Sequence, residues 1–437
     1  MYLPPHVEQC VEKLQQAGFS AYAVGGCVRD SLLGQMPHDY DLCTAATPER
    51  MKKIFAGYGL VLSGEKHGTV GVILGNEVVE ITTFRTESGY EDHRHPDRVE
   101  FVTSIEADLS RRDFTVNAMA WSPEQGLVDP FGGQQDLKNH ILRAVGDPSR
   151  RFREDPLRIL RGARFATRFR LELEEHTWSA MKELAPLMDN LARERVFDEL
   201  CKLILAADGE DLCRFAPILT QPIPELAPAV GFAQHNPHHT YDIFTHTAYV
   251  TESVERVLPM RWAALLHDVG KLETFTLDEG GKGHFYGHAK VGAQLAEGIL
   301  RRLKAPTALR EEVVALVELH MTKIEPEKKT VRRWLGRLGP ERLERLLRLQ
   351  EADMGSKGTG HRWEMDQFRE IRRLAQEIQG ENACFSLKDL AVNGRDLMEL
   401  GLSGPAIGQT LNRLLELVMD EQLPNEKNAL LHGVKRW

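Results

Sequence analysis

The sequence has no Cys-x-x-Cys pair: its six cysteines, Cys10, Cys27, Cys43, Cys201, Cys213 and Cys384, are scattered through 437 residues. That scatter argues against a zinc ribbon and fits reduced, structural thiols in a cytosolic protein. No apolar run reaches the length needed to span a bilayer, and Met1-Tyr2-Leu3-Pro4-Pro5-His6 lacks the basic-then-apolar order of a signal peptide. Together these absences predict a cytoplasmic protein with no membrane partner. Fixed-period repeats and low-complexity tracts are missing too, which sets solenoids aside. Net positive charge is also lacking, the formal balance being −9. That would disfavour a nucleic-acid binder if charge were evenly spread, but it is segregated. Between Arg150 and Arg170 stand eight arginines against only Glu154 and Asp155. Arg161, Arg164 and Arg168 recur there at helical spacing, a stripe suited to phosphates. A second arginine-rich stretch, Arg332 to Arg348, reads equally well as an amphipathic surface helix.

The length exceeds one ordinary core and predicts three or four domains. Up to about residue 140, strand-like runs such as Gly68 to Leu74 and Val78 to Phe84 alternate with short helical segments, as in a small mixed α/β domain. Beyond Asp155 the strand signals vanish and apolar residues recur at three and four, with breaks at Pro217 to Pro237 and around Gly355 to Gly360. The remainder is expected to be helical.

The most informative stretch is Gly25-Gly26-Cys27-Val28-Arg29-Asp30, followed by Asp39-Tyr40-Asp41. Phe19 to Val24 reads as a buried strand and Val28 to Leu33 as the opening of a helix. A glycine pair between them lets backbone N–H groups and a helix N-terminus approach a triphosphate. Asp39 and Asp41, one residue apart on a strand, would project from one face and hold the same divalent ions. Either half alone is more often a plain glycine turn or a solvated acidic loop. In this order they point to nucleotidyl transfer. Glu80 reads either as a third metal carboxylate or as an edge glutamate facing water.

Further motifs follow in order. Arg111-Arg112-Asp113-Phe114-Thr115-Val116-Asn117-Ala118 offers guanidinium groups for phosphate oxygens and a carboxylate for ribose hydroxyls. Then come Asp129-Pro130-Phe131-Gly132-Gly133 with Asp136-Leu137, Glu154-Asp155-Pro156-Leu157-Arg158, and Arg193-Glu194-Arg195-Val196-Phe197-Asp198-Glu199-Leu200. Alone, Asp155 and Arg158 would be an ordinary ion pair at a helix start.

With all five motifs present, the chain resembles the class II tRNA nucleotidyltransferases, the bacterial CCA-adding enzymes, over most of its length. Asn393-Gly394-Arg395-Asp396-Leu397 through Pro424-Asn425-Glu426 resembles that family's tail. The resemblance implies an α+β fold: a mixed α/β head at 1–140, then an elongated all-α remainder in a seahorse-like arrangement, with neck at 141–205, body at 206–375 and tail at 376–437. It implies Mg²⁺ on the catalytic carboxylates Asp39 and Asp41, and nucleotide contacts from Gly25, Gly26, Arg29, Asp30, Arg112, Asp113, Asn117, Arg161 and Arg164. Asp155 and Arg158 match the pair that reads the incoming base, where an acceptor and a donor together can mimic a Watson–Crick edge. Arg85 to Arg98 corresponds to the family's flexible loop, whose presence favours full CCA synthesis over CC addition. The implied activity is untemplated addition of CMP, CMP and AMP, from CTP and ATP, to the 3′ end of tRNA, without an obligatory protein partner.

His246, His267-Asp268, His288, His320 and Asp353 make a second ordered series, and Trp262 to Lys271 runs apolar into His-Asp-Val-Gly-Lys. This resembles the HD phosphohydrolase superfamily, at about 235–355, and implies one or two divalent metals of unknown identity. Adjacent His267 and Asp268 at a helix start would put both ligands at one centre. His235, His238, His239, His284 and His361 leave the ligand count open, and Lys271 either assists a phosphate or is a solvated helix end. The implied activity removes phosphates or cyclic phosphates. Three alternatives stay open: an A-adding transferase; a poly(A) polymerase, although Glu416 to Glu426 lacks the strongly basic extension usual there; and an HD phosphohydrolase with a degenerate head.

Overall fold

The structure, a computed structural model, describes residues 1–88, 98–235, 240–356, 362–380, 384–420 and 422–435. The centre of the Arg85-to-Arg98 segment, and His238, His239 and His361, lie outside the described residues. The chain divides into two compact units, Met1–Ala227 with Arg302–Lys304, and Pro228–Arg301 with Ala305–Trp437.

The first unit opens with α1 (Pro5–Gln16), β1 (Ala21–Val24), α2 (Gly26–Leu32), β2 (Leu42–Thr44), α3 (Pro48–Ile54), β3 (Gly59–Val61), β4 (Thr69–Leu74) and β5 (Glu77–Thr83). A hairpin of β6 (Arg85–Ser88) and β7 (Arg98–Phe101) follows, then α4 (Ile105–Ser110), β8 (Ala120–Ser122), β9 (Gly126–Val128) and α5 (Gly133–Lys138). Seven strands form one mixed sheet in the order β3-β4-β5-β2-β1-β8-β9. Every pairing is antiparallel except β2 with β5. Tyr22, Val24, Cys43, Phe84, Leu109 and Ala120 share one buried cluster. Burial of each large side chain there contributes about 1.5–3 kcal/mol.

Chain then passes into helices α6 (Pro148–Glu154), α7 (Leu157–Phe169), α8 (Glu175–Leu184), α9 (Arg193–Ala206), α10 (Gly209–Arg214) and α11 (Ala216–Leu219). Strands do not vanish entirely: β10 (Ile141–Leu142) pairs parallel with β11 (Glu172–Leu173). Two residues are too few for a period-two pattern to register in the sequence. Asp147 caps α6 by accepting from the Ser149 amide at 3.0 Å, beside Pro148 at the first helical turn. In α7, a Cβ on Gly162 would come within 3.0 Å of the Phe114 ring and 3.1 Å of Met181, so a glycine is what lets this helix seat closely.

The second unit contains α12 (Ile243–Ser253), α13 (Leu258–Leu266), a small hairpin of β12 (Thr276–Leu277) and β13 (Gly283–His284), α14 (His288–Arg302), α15 (Thr307–Leu319), α16 (Lys328–Gly355), α17 (Arg362–Gly380), α18 (Gly394–Glu399), α19 (Pro405–Met419) and α20 (Lys427–Val434). The second arginine-rich stretch is two helical pieces joined at Gly339, which takes φ 73° before Pro340. Its arginines pair with acids, Arg333 with Asp420 and both Arg342 and Arg345 with Glu312, as suits a surface helix. Among the described residues no helix is long and apolar enough to cross a membrane.

Candidate active site

Gly25 ends β1 with φ 72° and ψ −121°, a conformation that only glycine adopts without strain. A Cβ there would lie 2.9 Å from Nη1 of Arg112, so the missing side chain also makes room for that guanidinium. α2 starts at once on Gly26, and its first amides point into the turn. Asp39 and Asp41 are not on a strand as expected. They occupy the lead into β2, which begins at Leu42; both residues keep exposed surface, while the Asp41 carboxyl itself lies partly out of water.

The parallel register sets Leu42 beside Ile81, which brings Asp41 level with the exposed Glu80 that precedes Ile81 on β5. Burial pushes the Asp41 carboxyl above its ordinary value, Arg112 opposes the shift, and Glu80 and Asp39 add to it. Three carboxylates that repel one another in this way fit a divalent cation, which would offset the repulsion. Glu80 was undecidable from sequence, because its closeness to Asp41 depends on a register set by strands far apart in the chain.

Arg29 and Asp30 are committed to each other, with Arg29 Nη2 2.6 Å and Nε 2.8 Å from Asp30 Oδ1. Arg29 also donates to the Asn117 side chain and lies 4.1 Å over the Phe169 ring of α7. It is buried, and pins the turn rather than offering a free guanidinium to phosphate. Arg112 is placed differently: Nη2 is 3.3 Å from Asp108 Oδ2, while its buried Nε makes no hydrogen bond. The Asp-Pro-Phe-Gly-Gly motif is scaffolding for this corner. Asp129 accepts the Gly133 and Gln134 amides at 2.7 and 2.9 Å, starting α5, and a Cβ on Gly133 would strike the Thr115 carbonyl at 2.2 Å. Asp136 then accepts from the Thr115 hydroxyl at 2.7 Å.

The basic stripe is largely turned inward. Arg161 grips Asp113 Oδ2 at 2.7 and 2.9 Å, and Arg164 grips Glu199 at 2.6 Å, while Arg168 is exposed. Burial pushes the Asp113 carboxyl up, but Arg161 and Arg158 outweigh it and hold the value down at about 2. Asp155 and Arg158 do not pair with each other. Asp155 accepts from Arg195 at 2.8 Å and from the Leu157 amide at 3.0 Å. Arg158 donates to Glu154 at 3.0 Å and to the Arg111 carbonyl at 2.9 Å. Two bonds, Arg158 to Arg111 and Arg161 to Asp113, thus clamp α7 to the Arg-Arg-Asp segment, so groups suited to base and to sugar or phosphate share one rigid frame. Arg195 went unassigned although its motif was visible, since nothing in the sequence says that it reaches back 40 residues to Asp155.

In the second unit His246, His267, Asp268, His288, His320 and Asp353 converge. His267 and Asp268 sit at the C-terminal end of α13, not at a helix start, and His320 likewise ends α15. Both helices therefore turn their partial negative ends towards the cluster, which favours a cation. Nδ1 of His267, His288 and His320 each lies 2.7 to 2.8 Å from the carbonyl three residues earlier. Those bonds fix the Nδ1–H tautomer and aim the Nε2 lone pairs inward. There, His267 Nε2 is 3.2 Å from Asp268 Oδ2, His288 Nε2 3.4 Å from Asp268 Oδ1, and His246 Nε2 2.9 Å from Asp353 Oδ1.

His246, His267 and Asp268 form one group with ligand spacing, and Asp268, His288 and His320 another. Burial lowers His288, and lowers His320 to about 3, leaving both neutral and able to ligate. His267 Nε2 and Asp268 Oδ2 are buried and face each other at 3.2 Å, two ligand atoms close enough to share a metal. Gly270 explains part of the signature, because a Cβ there would meet the His288 carbonyl at 2.3 Å. Lys271 lies inside, 2.7 Å from Asp268 and 2.8 Å from Gln234, rather than at a solvated end. A cavity of about 340 Å³, lined by Asp268, Lys271, Tyr286, His288 and Asp353, opens onto the cluster. His235 and His284 stand outside these groups.

Residues 21–143 match the family model described as a poly A polymerase head domain, 170–214 a probable RNA and SrmB-binding site of polymerase A, and 285–434 a putative tRNA nucleotidyltransferase domain 2. The CCA-adding enzyme of Lactobacillus helveticus is 50% identical over 193 residues, 44% of this chain and 48% of that protein. That of Streptococcus sanguinis is 34% identical over 428 residues, 96% of this chain and 94% of that protein. The solved Bacillus stearothermophilus CCA-adding enzyme, in complex with CTP, aligns over 99% of both chains with a TM-score of 0.69 and 28% identity. The chain belongs to the CCA-adding enzymes, the tRNA nucleotidyltransferases.

Proposed function

We propose that the first unit adds CMP, CMP and AMP to the 3′ end of tRNA by metal-assisted nucleotidyl transfer. The observation that carries this reading is the placement of Arg112 against the Gly25–Gly26 turn with Asp41 close enough to feel its charge. The turn's amides and Arg112 would take the triphosphate oxygens, and Asp155 and Arg158 the edge of the base. Asp39 and Asp41, with Glu80 beside them, would hold Mg²⁺, which when bound supplies charge neutralisation on the phosphates and acidifies the attacking hydroxyl. The terminal 3′-hydroxyl of tRNA gives its proton to solvent as its oxygen bonds to the α-phosphorus, the bond from that phosphorus to the β-phosphate oxygen breaks, and pyrophosphate leaves. We assign the head to 1–140, the neck to 141–205, the body to 206–375 and the tail to 376–437. Incubating the protein with tRNA lacking its 3′ end, giving CTP and ATP separately and together, and sequencing the products tests this. CCA ends are expected; A-only or poly(A) ends would move the assignment to its neighbours.

The two buried groups at ligand spacing, His246, His267 and Asp268, and Asp268, His288 and His320, favour a second reading beside the first: a divalent-metal centre with phosphohydrolase activity. Lys271 lines its cavity and offers an ammonium to a phosphate. Metal content after dialysis, compared between the protein and Asp268→Ala, tests it; equal retention would remove the reading.

A further inference from the structure

Asp108 lies on α4, four residues before Arg112, with no exposed surface, and no motif discussed above includes it. It is not needed as a helix cap, because Ser104 already accepts the Ala107 amide at 3.2 Å. Its carboxylate instead gathers donors from three residues. Oδ1 accepts from Arg111 Nε at 3.0 Å, from Arg111 Nη2 at 2.9 Å and from the Arg85 amide at 3.3 Å. Oδ2 accepts from Arg112 Nη2 at 3.3 Å.

Burial raises the Asp108 carboxyl, yet Arg111 and Arg112 bring it below its ordinary value, so it stays ionised at neutral pH. The Arg112 charge also reaches past Asp108, since the Asp41 carboxyl feels it. That charge is carried towards the glycine turn, since Nη1 of Arg112 lies 2.9 Å from where a Gly25 Cβ would be. Nε of the same side chain is buried and has no hydrogen-bond partner, which is costly unless something arrives to accept from it.

We propose that Asp108 is the positioning residue for triphosphate binding: its buried carboxylate holds one edge of the Arg112 guanidinium and so aims the free donors across the Gly25–Gly26 turn at a phosphate oxygen. Arg111 supplies the counter-charge that keeps the carboxylate ionised where water cannot reach it. Asp108 touches no substrate and acts only through Arg112. An arginine left to itself has several rotatable bonds, and fixing it before the ligand binds removes that ordering cost from binding. This rests on the nucleotidyl-transfer reading above.

The test compares binding of CTP and CMP, which share base and sugar and differ in the two phosphates beyond the first. In Asp108→Asn, which keeps shape and burial, the CTP-to-CMP affinity ratio is expected to fall about tenfold, the scale of one charge-assisted hydrogen bond. KM for CTP and ATP should rise together while KM for tRNA stays put. In an Arg112→Ala background, Asp108→Asn should change the ratio no further. A merely structural role for Asp108 would instead change CTP and CMP binding by the same factor and leave their ratio intact, and that result overturns the proposal. Should Asp108→Asn fail to fold, Asp108→Glu keeps the charge on a longer stem and must still lower the ratio. If Arg112→Ala itself leaves the ratio unchanged, the nucleotidyl-transfer reading of this corner fails, a result distinct from a failure of Asp108 alone.

Discussion

Asp39, Asp41 and Glu80 keep exposed surface beside the two central strands of a sheet, whereas His267, Asp268 and His320 are 0%, 2% and 3% exposed among helix ends. The first set is all carboxylate, Glu80 and Asp39 raise the cost of charging Asp41, and no hydrogen bond fixes a tautomer or a ring. Such a set suits Mg²⁺, which keeps several waters and shares its coordination with substrate phosphates. The second set is mostly imidazole, each ring held from behind by a backbone carbonyl. It suits a transition metal that stays with the protein between turnovers. The contrast teaches that an open acidic site is completed by its substrate, while a buried histidine site is complete before substrate comes.

The sharpest way to break this comparison is Asp41→Ala. Incorporation of CTP and ATP should drop by about a thousandfold or more, as expected when transition-state charge loses its support, while metal retained by the second unit after dialysis should not change. Persistence of incorporation would sink the head assignment. The reciprocal change, Asp268→Ala, should reduce retained metal by more than the roughly 10- to 100-fold seen on losing an outer partner of a metal ligand, with CCA addition unaffected. Loss of both activities in either variant would mean that the two sites are not independent.

Next in size is Asp155→Ala or Arg158→Ala. Selection of cytosine or adenine over guanine and uracil should relax by about 5- to 150-fold, the span of one good base contact, with less effect on triphosphate affinity. Single-nucleotide incorporation with all four triphosphates reads this directly. Arg195→Ala belongs to the same experiment, since it releases Asp155 without removing it, and a smaller relaxation is expected.

Sequence order alone located the glycine turn, the Asp-x-Asp pair, the Arg-Arg-Asp segment and the histidine series, because each motif is local and its residue types leave few chemical options. What it missed is almost all pairing at a distance. Whether Glu80 joins Asp41 depends on β2 lying parallel to β5. Arg161 and Arg164 have helical spacing suited to phosphate contacts and Arg29 matches the family's nucleotide-binding turn, yet each is occupied by a partner between 35 and 88 residues away. Helical periodicity says which face an arginine shares with its neighbours. It says nothing about whether that face meets solvent or a buried acid.

The smallest expected effect concerns Asp113, whose ion pair with Arg161 is the buried counterpart, within the first unit, of the exposed acids. Its folded value of about 2 lies below the ordinary 3.8. A depressed carboxyl adds stability that is fully present above the unfolded value and is lost as pH falls through the folded one. The gap corresponds to about 2 kcal/mol, present at neutral pH and disappearing between roughly pH 4 and pH 2. Asp113→Asn should therefore lower the melting temperature at pH 7, and the difference from the parent protein should shrink as pH approaches 2. Binding CTP at pH 7 before melting should narrow the gap less than acid does, because the ligand adds contacts but does not restore the missing charge opposite Arg161. A difference that stays constant from pH 7 to pH 2 would show that Asp113 acts through shape alone, and the clamp between α7 and the Arg-Arg-Asp segment would then rest on Arg158 and the Arg111 carbonyl.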